Sequence, residues 1–111
     1  MPTMPAPNAV RLAMHTPPSE MIARARSLAG WVGRAVDDPN VVFEPLGVFA
    51  VPVRPLSDER LPVWAARVWR PRTRQYPARQ GLLGVWWTPA GWRAKDWDLV
   101  DPPETWTPIQ A

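Results

Sequence analysis

Sixteen prolines punctuate the chain, roughly three times the usual share of about 5%. Pro2, Pro5, Pro7, Pro17 and Pro18 crowd the start, and Pro102, Pro103 and Pro108 crowd the end. Proline fixes φ and removes a backbone donor, so such stretches resist helix and sheet pairing. Residues 1–16 therefore read as an extended arm, and 101–111 as an extended acidic, proline-rich tail. A single domain is expected between them, over residues 17–100. It is not a disordered composition: 46% of residues are hydrophobic and eight are tryptophan. One buried tryptophan removes about 150–250 Å² from water, so a few can furnish the core of a small domain.

A helix start is legible at Thr16-Pro17-Pro18-Ser19-Glu20. Thr16 is placed to cap, Pro17 to take the first helical position, and Glu20 supplies an acid in the first turn. Apolar residues follow at Met21, Ile22, Ala25, Leu28, Ala29, Val32 and Val36, the three-and-four spacing of one helix face. Gly30 and Gly33 weaken this helix, each by up to about 1 kcal/mol relative to alanine, or admit close packing on a sheet. Asp37-Asp38-Pro39-Asn40 ends it. The remainder reads as strands: 41–44, 47–53, 62–70, 81–87 and a return from Trp92 to about Leu99. Pro52 suits an edge. Between Trp87 and Trp92, Pro89 and Gly91 mark a tight hairpin turn. The fold class expected is α+β, with one N-terminal helix packed on a four- to five-stranded antiparallel sheet.

Side chains alternate faces along a strand. If Trp87 faces Trp92 across the hairpin, Val85 faces Ala94 on the same side. Trp86 then pairs with Arg93 on the opposite side, and Lys95 lies across from Gly84. In the strand from Pro62, Trp64, Ala66 and Val68 share one face, and Val63, Ala65, Arg67 and Trp69 the other. One face is thus apolar and ready for the helix. The second gathers Arg67, Trp69, Trp86, Arg93 and Lys95.

Charge is distributed unevenly. Arg60, Arg67, Arg70, Arg72, Arg74, Arg79, Arg93 and Lys95 fall within residues 60–95 with no acid among them, whereas Asp96, Asp98, Asp101 and Glu104 follow. Arginine stacks on aromatics and makes forked contacts to phosphate or carboxylate. Tryptophan, tyrosine and arginine are also the residues enriched at protein-binding hot spots. The residues expected to bind a partner are Arg67, Trp69, Arg70, Arg72, Arg74, Arg79, Trp86, Arg93, Lys95 and Trp106. The expected function is a non-enzymatic subunit of a larger assembly, such as a virion or other mobile-element particle, with arms and an Arg/Trp face contacting protein neighbours. Two alternatives use the same residues: a nucleic-acid-binding module and a small inhibitor docked on a host protein complex. A blander reading has the acidic tail fold back over the cations. The polar helix stripe Arg24, Ser27, Trp31 and Arg34 offers a further groove-entering surface, though a solvated face is its default meaning.

Catalysis finds little footing. The single histidine, His15, lies in the proline-rich arm, and Ser19, Ser27 and Ser57 have no glycine-rich elbow or adjacent base. With no cysteine and one histidine a zinc site is not expected. Asp96-Trp97-Asp98-Leu99-Val100-Asp101 lacks the glycine and closing glutamate of a calcium loop, and Gly81-Leu82-Leu83-Gly84 lacks the lysine of a phosphate loop. No cofactor is expected. No apolar run approaches the ~20 residues of a membrane span, and the start lacks a secretory pattern. The expectation is a soluble, cytoplasmically made protein of homo- or hetero-oligomeric habit.

Overall fold

The computed structural model describes residues 18–109. Strands make up more of these residues than helices do. Two short helices, α1 (Pro18–Ala25) and α2 (Trp31–Ala35), precede β1 (Val42–Pro52), β2 (Arg60–Arg70), β3 (Arg79–Thr88), β4 (Gly91–Trp97) and the two-residue β5 (Thr107–Pro108). All pairings are antiparallel, in the order β4-β3-β2-β1-β5. The cap expected at Thr16 and the arm over 1–16 lie outside the described residues.

The single helix expected from periodicity is two helices instead, and the glycines are the cause. Gly30 sits at φ 155°, a backbone setting that side chains rarely tolerate. A Cβ on Gly33 would fall 1.9 Å from the Leu28 carbonyl oxygen, so the chain doubles back tightly over the break. Arg26 closes the two segments, donating from Nε and Nη2 to Asp37 Oδ1 at 3.3 and 3.0 Å. The apolar periodicity survives the break. Met21, Ala25, Val32 and Val36 are all buried, in one cluster with Val48, Trp64, Ala66, Val68, Leu83 and Val85 from the sheet.

The hairpin register is the one expected from parity. Trp87 opposes Trp92, Trp86 opposes Arg93, Val85 opposes Ala94 and Gly84 opposes Lys95. Thr88 Oγ1 fastens the turn, donating to the Gly91 carbonyl at 2.8 Å and accepting the Ala90 N–H at 3.2 Å. The strands expected at 41–44 and 47–53 are one strand, β1, whose register slips between Pro45 and Gly47. That slip absorbs the odd residue, so Phe43 and Val48 both reach the helix side.

Two tryptophans lie close against β3, one on each face. A Cβ on Gly81 would meet the Trp31 ring at 3.1 Å, and one on Gly84 would meet the Trp97 ring at 2.7 Å. The Gly81–Gly84 segment is therefore a pair of seats for indole rings. It makes close packing possible where any side chain would hold the rings off.

The chain after β4 crosses the sheet face that the helices leave open. Trp106 drops into a second core, buried with Phe49 and Ala65 and bordered by Leu46, Val51 and Trp97. Beyond it, β5 pairs with Phe49 and Ala50, and the Ile109 N–H donates to the Val48 carbonyl at 2.9 Å. Residues 98–109 thus form a strap from one side of the sheet to the other.

Candidate interaction surfaces

Of the ten residues expected to bind a partner, five share the face away from the helices: Arg67, Trp69, Trp86, Arg93 and Lys95. They do not form one surface, because the strap is laid across them. Arg67 is taken up by it. Its Nη1 donates to Glu44 Oε2 at 2.9 Å, its Nη2 to Asp101 Oδ1 at 2.5 Å and its Nε to the Val100 carbonyl at 3.1 Å. These carboxylate bonds hold the guanidinium charged and push its pKa above the ordinary arginine value. Trp106, expected to bind a partner, is buried, with its ring centre 5.0 Å from that of Trp97 and 6.1 Å from that of Phe49. Both residues serve the fold. The acidic tail does fold back over the cations, but Arg67 is the only cation it pairs with among the described residues.

Two grooves border the strap. One, of about 460 Å³, is lined by Trp69, Val42, Glu44, Arg67, Gln80 and the strap residues Val100 and Asp101. The other, of about 400 Å³, lies toward the opposite end of β2, where Val51, Val53, Leu61, Trp86, Lys95 and Trp97 surround Trp106. Trp69 and Trp86 therefore open onto different grooves. Lys95 Nζ stands 5.4 Å from the Trp97 ring centre, within cation–π range.

The loop that joins β1 to β2 adds a residue that sequence reasoning passed over. Leu56 is fully exposed and holds φ 63°, the left-handed region that non-glycine residues avoid. Val53, half exposed, stands in the same loop and lines the Trp86 groove. Arg54 and Arg60 flank them, and Arg60 Nη1 donates to the Ser57 carbonyl at 2.6 Å, which braces the loop. A leucine among Pro55, Ser57 and Asp58 carries no periodic signal, so only the backbone angle and the exposure reveal it.

Four of the ten remain, and they gather at the other end of β2. Arg70 and Arg79 are cross-strand partners on the helix side of the sheet, not on the proposed binding face. Their Cζ atoms lie 5.8 and 5.0 Å from the Trp31 ring centre, and Arg70 is 5.1 Å from that of Tyr76. Trp31 itself is buried, which removes it from the solvated stripe expected of the helix. Arg72 and Arg74 project from the exposed β2–β3 loop. Thr73 organises that loop: its hydroxyl accepts the N–H groups of Gln75 and Tyr76 at 3.2 and 3.0 Å, and its own N–H donates to the Tyr76 carbonyl at 2.9 Å. No protein-family model, curated protein or solved structure matches the chain.

Proposed function

We propose that this protein is a non-catalytic interaction subunit that binds a protein neighbour through the end of the sheet carrying Leu56, Val53 and Trp86. The observation that carries this reading is Leu56: a fully exposed leucine held at φ 63° on a groove that Trp106 also lines, and which shares Pro52, Val53 and Trp106 with the groove of Trp86. Exposing a leucine gains the fold nothing, and the left-handed backbone costs it about 1 kcal/mol. Both costs fall away as reasons for removal if the side chain enters a pocket on another protein. The surroundings have the composition of a protein-binding hot spot, with indole and aliphatic surface at the centre and Arg54, Arg60, Arg93 and Lys95 at the rim. A second contact is available from the proline-rich N-terminal sequence, since proline lowers the entropy cost of docking a segment against a neighbour.

The test is co-purification of tagged protein from its native cells after nuclease treatment, alongside Leu56→Asp and Trp86→Ser variants. A stoichiometric protein partner retained by wild type and lost by both variants, with melting temperatures unchanged within a few degrees, supports the reading. A wild-type chain that sediments as a monomer at high concentration and retains no protein after nuclease would refute it.

A further inference from the structure

The arginine-rich cleft at the far end of β2 carries a separate inference, independent of the Leu56 surface. Arg60 and Arg70 are ten residues apart on one strand, which at about 3.4 Å per residue separates the two ends by roughly 34 Å. The cleft, about 670 Å³, lies between α2 and the β2–β3 loop. Arg34 stands on its helix wall and Arg70 and Arg79 on its strand wall, with Trp31 and Tyr76 between. We infer that this cleft binds the sugar-phosphate backbone of single-stranded nucleic acid, with Tyr76 as a platform for one unstacked base.

Three observations point there. The first is how the guanidinium groups are used. Arg70 and Arg79 both stand over the Trp31 ring, which holds two guanidinium groups side by side at the cleft, each with forked N–H donors of the kind that grip a phosphate. Among the described residues Arg70 Nη2 donates to the Pro77 carbonyl at 3.3 Å and Arg70 Nε is buried, so Arg70 Nη1 and the Arg79 fork are the donors left for a phosphate. The second is charge. Arg34, Arg70, Arg72, Arg74 and Arg79 form no salt bridge among the described residues. Asp38 is the one carboxylate lining the cleft, and its Oδ1 accepts the Asn40 N–H at 2.9 Å instead. Three unneutralised arginines line the opening, and Arg72 and Arg74 stand in the adjoining depression of the same loop, which shares Thr73, Tyr76, Pro77 and Ala78 with it; that concentration of positive charge is a standing cost that a polyanion removes.

The third observation selects the class of polyanion. Tyr76 is 55% exposed and held by the Thr73 turn, so a ring face stands ready for a base, which an acidic peptide would not use. A duplex does not fit the same features. The helix at the cleft, α2, has five residues, of which Trp31, Val32 and Ala35 are buried, so it has too few free side chains to read base edges in a major groove. A base inside a duplex also has no free face for Tyr76 to stack on.

Fluorescence anisotropy with a labelled twelve-residue oligothymidylate tests the inference, with the matching blunt duplex and a twelve-residue polyglutamate as comparison probes. If each arginine engages one phosphate, log K falls with log salt at a slope of about −3.5, five contacts at roughly −0.7 each for single strands. The double variant Arg72→Ala/Arg74→Ala flattens that slope by about 1.4. Both residues are exposed, so this variant folds even where changes at Arg70 or Arg79 loosen Trp31. Tyr76→Ala weakens the oligonucleotide about 5-fold or more and leaves polyglutamate unchanged. Leu56→Asp protein binds the oligonucleotide as wild type does, which keeps the two surfaces separable. The inference is overturned by no oligonucleotide binding at 50 mM salt. It is equally overturned by tighter binding of the duplex, by binding indifferent to Arg72 and Arg74, or by polyglutamate binding as tightly as the oligonucleotide.

Discussion

Arg67 on β2 binds the Asp101 carboxylate, 34 residues further along the chain, at 2.5 Å. It is the polar clasp of the strap, as Trp106 is the apolar one. Both carboxylates it holds are more than half exposed, so solvent screens the pairs and the cluster contributes about 1 kcal/mol to stability. Arg67→Met keeps the stem and removes the fork. The variant should lower the urea midpoint by that modest amount and speed amide exchange at Ile109, while the β2–β3 amides keep their protection. The sign with pH follows from the raised pKa of Arg67. A cation stabilised by folding contributes fully below its unfolded pKa and loses its contribution only as pH rises through the higher folded value. Between about pH 6 and 10 the difference between wild type and Arg67→Met should therefore stay flat. A gap that closes by pH 9 would mean that the guanidinium is not the clasp.

Trp106→Ala should be far more damaging. The indole is buried between Phe49 and Trp97, where Trp→Ala substitutions cost about 3–5 kcal/mol. Trp69→Ala, at a ring 38% exposed, should cost under about 1 kcal/mol. Chemical denaturation of the two variants compares them directly. Equal costs would place Trp106 in solvent and remove the second core.

Strand parity made much of this arrangement legible in the sequence. Trp87 opposite Trp92 followed from Pro89 and Gly91 in the turn, and that one register placed Trp86, Arg93 and Lys95 on the same side. What parity cannot carry is distance along the chain. Nothing local marks Asp101 as the partner of Arg67 or Trp106 as the neighbour of Phe49, because both contacts depend on the strap crossing three strands. Arg70 and Arg79 illustrate the same gap in another form. Read by charge they extend the open face from the adjoining loop, whereas their register with Val68 and Gly81 puts them in the strands on the helix side. The cost of two opposed arginines is offset by Trp31, which reaches them only because the helix breaks at Gly30. Gly30 and Gly33 were visible as weak points of a helix. Whether a weak point becomes a break depends on the tertiary contacts of the residues beyond it.

Gly84→Ala tests the indole seat. The new methyl would stand 2.7 Å from Trp97 Cζ3 and 2.9 Å from Val63 Cγ1. Trp97 cannot swing clear, because Trp106 packs edge-on against it at 5.0 Å. Overpacking of this kind costs about 1–3 kcal/mol. Trimming the ring removes the tighter of the two contacts and leaves that with Val63, so Gly84→Ala in a Trp97→Leu background should cost less than in the wild type by about 1 kcal/mol. The double-mutant cycle measured by urea denaturation reads that coupling. Additive effects would show that the two residues do not touch.

Leu56→Asn should separate stability from binding. Asparagine occupies the left-handed region more readily than leucine, and a fully exposed leucine has no burial to lose. The variant should therefore gain about 0.5 kcal/mol, read as a higher urea midpoint at unchanged slope. Leu56→Val should move the other way, since a β-branched side chain crowds this backbone setting more than leucine does. If the side chain is a contact for a neighbouring protein, the asparagine variant will be firmer yet will release its partner. That pattern identifies strain retained for function. A variant that is stabilised and still retains its partner would leave Leu56 as an unimproved loop residue, and the proposed protein-binding end would lose its anchor.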